Sequence, residues 1–216
     1  MNTLSVCMVI RNEEKLLPSL LNYVKPITDE FMIFDQNSTD RTPQILADVG
    51  ARVVRRTAKG IADIDRQDCY TLATSDLILA LDADEKPDKR LMEYLKALKE
   101  MATLPYDVWW FFFRNIIDGV DVSEKMPDDW HPRLWTRADN KPPVTIWPGE
   151  AHTYPQIQSH RQLFCTAGKI DHVRTLAKIQ KVHDERGPVI DPKNRQLEAN
   201  WQAMVTEFVE TKKGKR

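Results

Sequence analysis

Four times in roughly the first hundred residues, a short apolar run ends in polar residues and is followed by apolar residues at helical spacing. The runs are Leu4–Ile10 (LSVCMVI), Phe31–Phe34 (FMIF), Ala51–Arg55 (ARVVR) and Leu77–Leu81 (LILAL). Continuous apolar runs with β-branched members suit strands buried on both faces, as in parallel sheets. After the first run, Leu16, Leu17, Leu20, Leu21 and Val24 fall on one helical face. After the second, Asn37, Ser38, Thr39 and Asp40 offer caps to a helix with Pro43 in its first turn and Gly50 as its stop. The third leads into a helix over 61–73. After the fourth, Pro87 is expected to open a helix in which Leu91, Tyr94, Leu95 and Leu98 share a face. Four βα units in succession predict an α/β fold with a mostly parallel, doubly wound sheet and right-handed crossovers.

The pattern changes after about residue 104. Tyr106–Phe113 (YDVWWFFF) reads as an aromatic strand in which Trp109 and Trp110 pack the core, and Asn115–Val120 reads as a hairpin turn. From there to Thr166 the chain is rich in Pro, Trp and His with little periodicity. Binding loops are expected there, because disordered segments are poor in aromatics. Leu197, Trp201, Met204, Val205 and Phe208 return to helical spacing before a basic tail, KKGKR. The 216 residues suit a single domain, in which 1–104 and 105–194 form two halves and 195–216 a terminal helix and tail.

Composition excludes several classes. Lys and Arg number 31 against 32 Asp and Glu, so no overall charge points to nucleic acid or an anionic membrane. No apolar run approaches the ~20 residues of a membrane helix. Met1–Glu14 lacks a basic start and a small-residue cleavage site, and so reads as a strand rather than a signal peptide. Cys7, Cys69 and Cys165 are too few and too scattered for a disulfide framework, which suggests a reducing, cytoplasmic setting. With seven glycines and no GxGxxG after the first run, a dinucleotide-binding dehydrogenase fits poorly.

Open α/β sheets take ligands beyond the carboxyl ends of their strands. Three polar clusters fall there: Arg11-Asn12-Glu13, Asp35-Gln36-Asn37-Ser38 and Asp82-Ala83-Asp84-Glu85. In an extended segment Asp82 and Asp84 point the same way. Two carboxylates in one small site repel unless one is protonated or a cation lies between them, and a hard ion such as Mg²⁺ or Mn²⁺ meets that need. The same acidic residues also suit a helix start, where the dipole gives each roughly 0.3–1 kcal/mol. Glu13 is expected to cap the first helix.

LSVCMVIRNEE, FDQNSTDRT and LILALDADE, with the helix segment Asp65-Arg66-Gln67 before the third, together resemble family 2 glycosyltransferases of the GT-A fold over roughly the first half of the chain. The resemblance implies a nucleotide-sugar donor, foremost a UDP-sugar, whose diphosphate is held by Mn²⁺ or Mg²⁺ at Asp84, with Asp82 near the ribose or the metal. It places Asp35 at the nucleobase, although Gln36 stands where many relatives carry a second acid. It brings Arg66 toward the donor, and Arg11 lies in the donor-side loop. Further on, Asp129–Trp135 (DWHPRLW) resembles a strand of one branch, Trp147–His152 (WPGEAH) its glycine-and-glutamate acceptor loop and Ile170-Asp171-His172 its IxH element, which implies that His172 completes the metal shell.

An inverting transfer needs a carboxylate to take the acceptor proton. Glu150 is the first candidate and Asp129 the second. Trp130, Trp135 and Trp147 are candidates either to stack on an acceptor or to fill the core under the long loops, and the acceptor hydroxyl could belong to a saccharide, lipid, protein or modified nucleobase. Two rivals remain at this point. One is a GT-A-like scaffold that binds nucleotide or glycan without turnover. The other is a metal-dependent phosphoryl-transfer enzyme built on DxD, although aspartyl-nucleophile phosphatases usually carry the nucleophile after the first strand rather than the fourth.

Overall fold

The computed structural model describes residues 1–57, 62–126, 128–137, 145–146, 156–157, 159–186 and 192–214. The first half contributes β1 (Leu4–Ile10), α1 (Leu17–Val24), β2 (Glu30–Asp35), α2 (Thr42–Asp48), β3 (Arg52–Arg55), α3 (Ala62–Leu72), β4 (Leu77–Ala80), β5 (Glu85–Pro87) and α4 (Lys89–Glu100). The second contributes β6 (Val108–Ile117), β7 (Val120–Asp121), β8 (Trp130–Thr136), β9 (Thr145–Ile146), β10 (Gln156–Ile157), β11 (Gln162–Arg174), α5 (Leu176–Arg186) and α6 (Pro192–Lys213).

The expected α/β arrangement is the one observed. Its main sheet runs β3-β2-β1-β4-β8-β6-β11-β5, with β7 paired to β6, and β9 pairs with β10 apart from it. The β3-β2-β1-β4 block is parallel throughout, as four βα units require. Beyond it the sheet is mixed: β8 is antiparallel to both β4 and β6, β11 is parallel to β6, and β5 is antiparallel to β11. The doubly wound expectation therefore holds for the first half only. Part of the stretch read as binding loops is β8, a strand as the DWHPRLW resemblance implied and interior to the sheet, and the IDH element belongs to a long strand that begins well before it.

Side-chain alternation splits the core into two layers. On one face Val6, Met8 and Ile10 meet Leu17, Leu20 and Leu21 of α1, Leu91 and Leu95 of α4, and Trp109, Phe111 and Phe113. On the other, Cys7, Val9, Met32, Phe34 and Ile78 pack against Cys69 and Tyr70 of α3 and against Trp135. Trp135 is thus a core residue, and so is Trp109, whereas Trp110 is only half-buried.

Two details position the site. Pro87 does not open a helix: it ends β5, an edge strand, where its missing N–H breaks no interior ladder. Asp88 caps α4 instead, accepting the Leu91 N–H at 2.8 Å. Gly168 lies in the irregular stretch of β11 between Cys165 and Lys169. A Cβ there would sit 2.4 Å from the Leu91 nitrogen, so only glycine lets the strand pass the start of α4. The hairpin turn is found as expected, with Asp118 and Gly119 both at positive φ between β6 and β7.

Candidate active site

The loops after β1 and β2 are stitched together by short polar side chains. Asn12 N–H donates to Ser38 Oγ (2.9 Å), Thr39 N–H to Asn12 Oδ1 (2.8 Å), Glu13 N–H to Thr42 Oγ1 (2.9 Å) and Glu14 N–H to Asp40 Oδ2 (3.1 Å). Asn12 and Asn37 both take φ of 55°, a left-handed conformation that Asn tolerates better than most residues. Asp35, fully buried at the end of β2, accepts Ser38 N–H at 2.9 Å and lies 3.0 Å from Arg55 Nε. Gln36 donates to Asp65 at 2.6 Å, and Asp65 also pairs with Arg56. Arg11 stands exposed just past β1.

The three carboxylates after β4 part company. Glu85 N–H closes a turn on Asp82 O at 3.0 Å, so Asp82 and Asp84 do not share one side of an extended segment as expected. Asp82 turns to Arg66, whose Nη2 reaches both of its oxygens at 2.7 and 2.8 Å. Burial works against the Asp82 charge, but Arg66 and Arg133 outweigh it and hold the carboxyl well below the usual range. Glu85 points into the core, where Arg133 grips it through Nε (3.0 Å) and Nη2 (2.7 Å). Burial raises its pKa against the pull of that guanidinium.

Asp84 faces β11 and α5 of the second half. Its backbone oxygen accepts Val173 N–H at 2.9 Å, which docks β11 beside it. Its Oδ2 lies 3.8 Å from His172 Nε2 and 3.1 Å from Lys178 Nζ. Burial, seconded by Arg174, pushes the His172 pKa down to about 4 against Asp84 and Asp82, so the imidazole is neutral at pH 7. Lys178 also reaches Glu13 Oε1 at 3.4 Å. The Glu13 side chain therefore faces the site rather than capping α1, and burial raises its pKa.

Asp129 sits near this group, just before β8, with both oxygens engaged: Oδ1 is 2.8 Å from His131 Nε2, and Oδ2 accepts Asn115 Nδ2–H at 2.6 Å. Burial disfavours its charge, yet His131 and Asn115 hold its pKa below the usual value. Trp130 is placed differently. As the strand neighbour of His131 it faces the opposite side of the sheet, against Phe112 and Phe164 at 5.6 and 5.5 Å. Trp147 and Glu150 lie outside the described residues. Sequence reasoning missed Arg133, Arg174, Asn115 and Lys178. Only Lys178 had a local signal: Thr175, three residues before it, caps α5 by accepting Lys178 N–H at 3.0 Å.

Among the described residues no three His, Cys, Asp or Glu side chains meet as a ready metal cluster. Asp84 and His172 nevertheless fit a divalent ion as a pair. Two donors about 2.1 Å from one ion stand at most about 4.2 Å apart, and Mg²⁺ commonly takes one or two carboxylates, with water and substrate phosphate filling the rest. Asp82 does not fit while Arg66 holds it.

By class, this is an open α/β sheet with its polar constellation at the carboxyl ends of the strands, where such sheets take ligands. The chain matches the glycosyl transferase family 2 description over residues 5–156, and it belongs to that family. His172 and Lys178 lie beyond the matched stretch. The chain is similar to a TPR repeat-containing protein of Synechococcus elongatus, 40% identical over 86 residues that make up 40% of this chain and 21% of that protein. It is also similar to an uncharacterized glycosyltransferase of Rickettsia conorii, 32% identical over 93 residues, 43% of this chain and 33% of that one. It thus spans about a fifth to a third of these relatives' length. A similar solved structure is that of S. aureus TarS in complex with UDP-GlcNAc, with 24% identity, a TM-score of 0.46, and coverage of 56% of this chain and 36% of that chain. Among the described residues no helix is long and apolar enough to cross a membrane.

Proposed function

We propose that this chain transfers a sugar from a nucleotide-sugar donor, a UDP-sugar before others, to an acceptor hydroxyl with inversion, using Mn²⁺ or Mg²⁺ seated at Asp84 and His172. The observation that carries this reading is the 3.8 Å pairing of the Asp84 carboxylate with a neutral imidazole at the carboxyl ends of the strands, in a chain of this family. The cation, when bound, supplies charge stabilisation to the departing nucleoside diphosphate. Arg66 and Asp82 form a preset ion pair on the same side, and Asp35 with Ser38 shapes the loop assigned to the nucleobase.

In the transfer, the acceptor oxygen bonds to the anomeric carbon as the bond to the diphosphate breaks, and the hydroxyl proton passes to a carboxylate. We assign that role to Glu150. Asp129, saturated by Asn115 and His131 and more acidic than usual, suits orienting His131 better than accepting a proton. Buried free thiols at Cys7, Cys69 and Cys165 fit the cytoplasmic reading.

The test is hydrolysis and transfer from a panel of nucleotide sugars with Mn²⁺, Mg²⁺ or chelator, in wild type and Asp84→Ala. Activity is expected with metal and is expected to fall at least about a hundredfold in the variant, as for loss of a group that stabilises the leaving charge. Activity indifferent to both chelator and Asp84→Ala would refute the mechanism.

A further inference from the structure

Among the described residues, Arg66, Arg133, Arg174 and Lys178 lie about Asp82, Asp84 and Glu85, and the three arginines are built into the sheet or the helix against it. Arg66 is nearly buried and committed to Asp82; Arg133 is nearly buried and committed to Glu85. Arg174, on β11, donates to Asn115 Oδ1 at 3.2 Å. Lys178 differs in origin and in hold. It comes from the first turn of α5, outside the sheet, and about a third of its side chain is exposed. Its contacts to Asp84 (3.1 Å) and Glu13 (3.4 Å) are longer than the 2.7–2.9 Å usual for charge-assisted bonds. Burial disfavours its charge, but Asp84 and Glu13 more than compensate, so it is a cation at neutral pH.

Lys178 and any ion at Asp84 and His172 compete for one atom, because Asp84 Oδ2 is the oxygen nearest both His172 Nε2 and Lys178 Nζ. An ion about 2.1 Å from that oxygen would meet a like charge only slightly farther away, at a partly buried position where repulsion is weakly screened. Arg133 cannot yield without stranding the buried Glu85, Arg66 is held by both oxygens of Asp82, and Arg174 bonds the Asn115 amide rather than Asp84. Lys178 can, on a flexible four-carbon stem with three rotatable donors.

We propose that Lys178 is a two-position cation. It neutralises Asp84 and Glu13 while the site is empty, and it moves to the donor's diphosphate when a divalent ion displaces it from Asp84. Arrival of the ion would thereby release a second positive charge beside the leaving group. The proposal rests on the donor-and-metal reading above and adds to it a residue that recognises the diphosphate rather than the nucleoside.

Two titrations on the full chain test it, using wild type, Lys178→Met and Lys178→Arg, with circular dichroism to verify folding. In the first, Mn²⁺ alone is titrated without nucleotide and read by the EPR signal of the free ion. Lys178→Met should bind about tenfold more tightly than wild type and Lys178→Arg should not, since only the first removes the competing charge. In the second, at saturating Mn²⁺, UDP and UMP are compared calorimetrically, with GDP and GMP as a second pair. Lys178→Met should lose roughly tenfold in diphosphate affinity with the monophosphate unchanged, and Lys178→Arg should retain most of it. Equal Mn²⁺ affinity in wild type and Lys178→Met overturns the first position, and an unaltered preference for diphosphate over monophosphate overturns the second. Failure of wild type to bind any nucleoside diphosphate refutes the donor reading and the second position with it. Success in wild type with no change in Lys178→Met refutes this proposal alone.

Discussion

The two halves of the sheet bury themselves differently. Every residue of β1 is buried, because α1 and α4 cover one face and α3 the other. β6 alternates instead: Trp109, Phe111, Phe113 and Asn115 are buried, whereas Trp110, Phe112, Arg114 and Ile116 are only partly covered. The second half thus presents an aromatic face, where Trp110 stacks on Phe164 at 5.3 Å and Trp130 meets Phe112 and Phe164 edge-on. The difference shows where chemistry is assembled in this chain. Neither half holds the site alone. Asp82 and Asp84 come from the first, Arg133, Asp129, His172 and Lys178 from the second, and contacts across the seam bring them together.

The seam is therefore the place to strike hardest. Glu85 and Arg133 form a buried ion pair joining β5 to β8, and removing one partner strands the other charge at a cost of about 3–5 kcal/mol. Arg133→Met should lower stability in urea denaturation by that order. The double variant Glu85→Leu, Arg133→Met should lose less than either single change, since an apolar replacement of a buried pair is often near neutral. If the double variant is the worst of the three, the pair is not the link described.

Gly168→Ala comes next. With backbone and the Leu91 side chain in its way, the added methyl should cost about 1–3 kcal/mol. It should also weaken Mn²⁺ binding, because β11 carries His172 past that point; weaker stability with unchanged Mn²⁺ affinity would separate the strand from the site. Trp130→Ala should cost roughly 1–2 kcal/mol from lost aromatic contacts. It should leave Mn²⁺ affinity unaltered, since Trp130 lies on the other side of the sheet, and a matching fall in affinity would contradict that placement. The smallest effect belongs to Gly119→Ala at the β6–β7 turn, about 1 kcal/mol for a methyl at φ of 77°, with no effect on ligand binding.

The same contrast governs what was legible in the sequence. Strands buried on both faces leave unbroken apolar runs, so β1, β2 and β4 and the parallel block could be read directly. β8 was recognisable from its DWHPRLW motif, yet its interior place was not, since Arg133 breaks the apolar run and its partner Glu85 lies far away in sequence. β11 was hidden in all but its IDH segment, because Thr166 and Ala167 are exposed in succession and break the alternation. Pro87 misled because proline suits a helix's first turn and an edge strand equally well. Asp84 and His172 were legible as a pair through the family resemblance. That Arg66 claims Asp82 was not, because a turn, rather than residue spacing, decides which way each carboxylate points.

The most direct measurement is the thermal stability of wild type, Asp84→Ala and Trp130→Ala with UDP, GDP, CDP or TDP, each with Mn²⁺ or with chelator. Ligands that bind the folded state raise its melting temperature. With Mn²⁺, one diphosphate should stabilise wild type and Trp130→Ala alike, while chelator or Asp84→Ala abolishes the shift. An equal shift in Asp84→Ala, or no shift in wild type with any of the four, would contradict a donor held through a metal at Asp84.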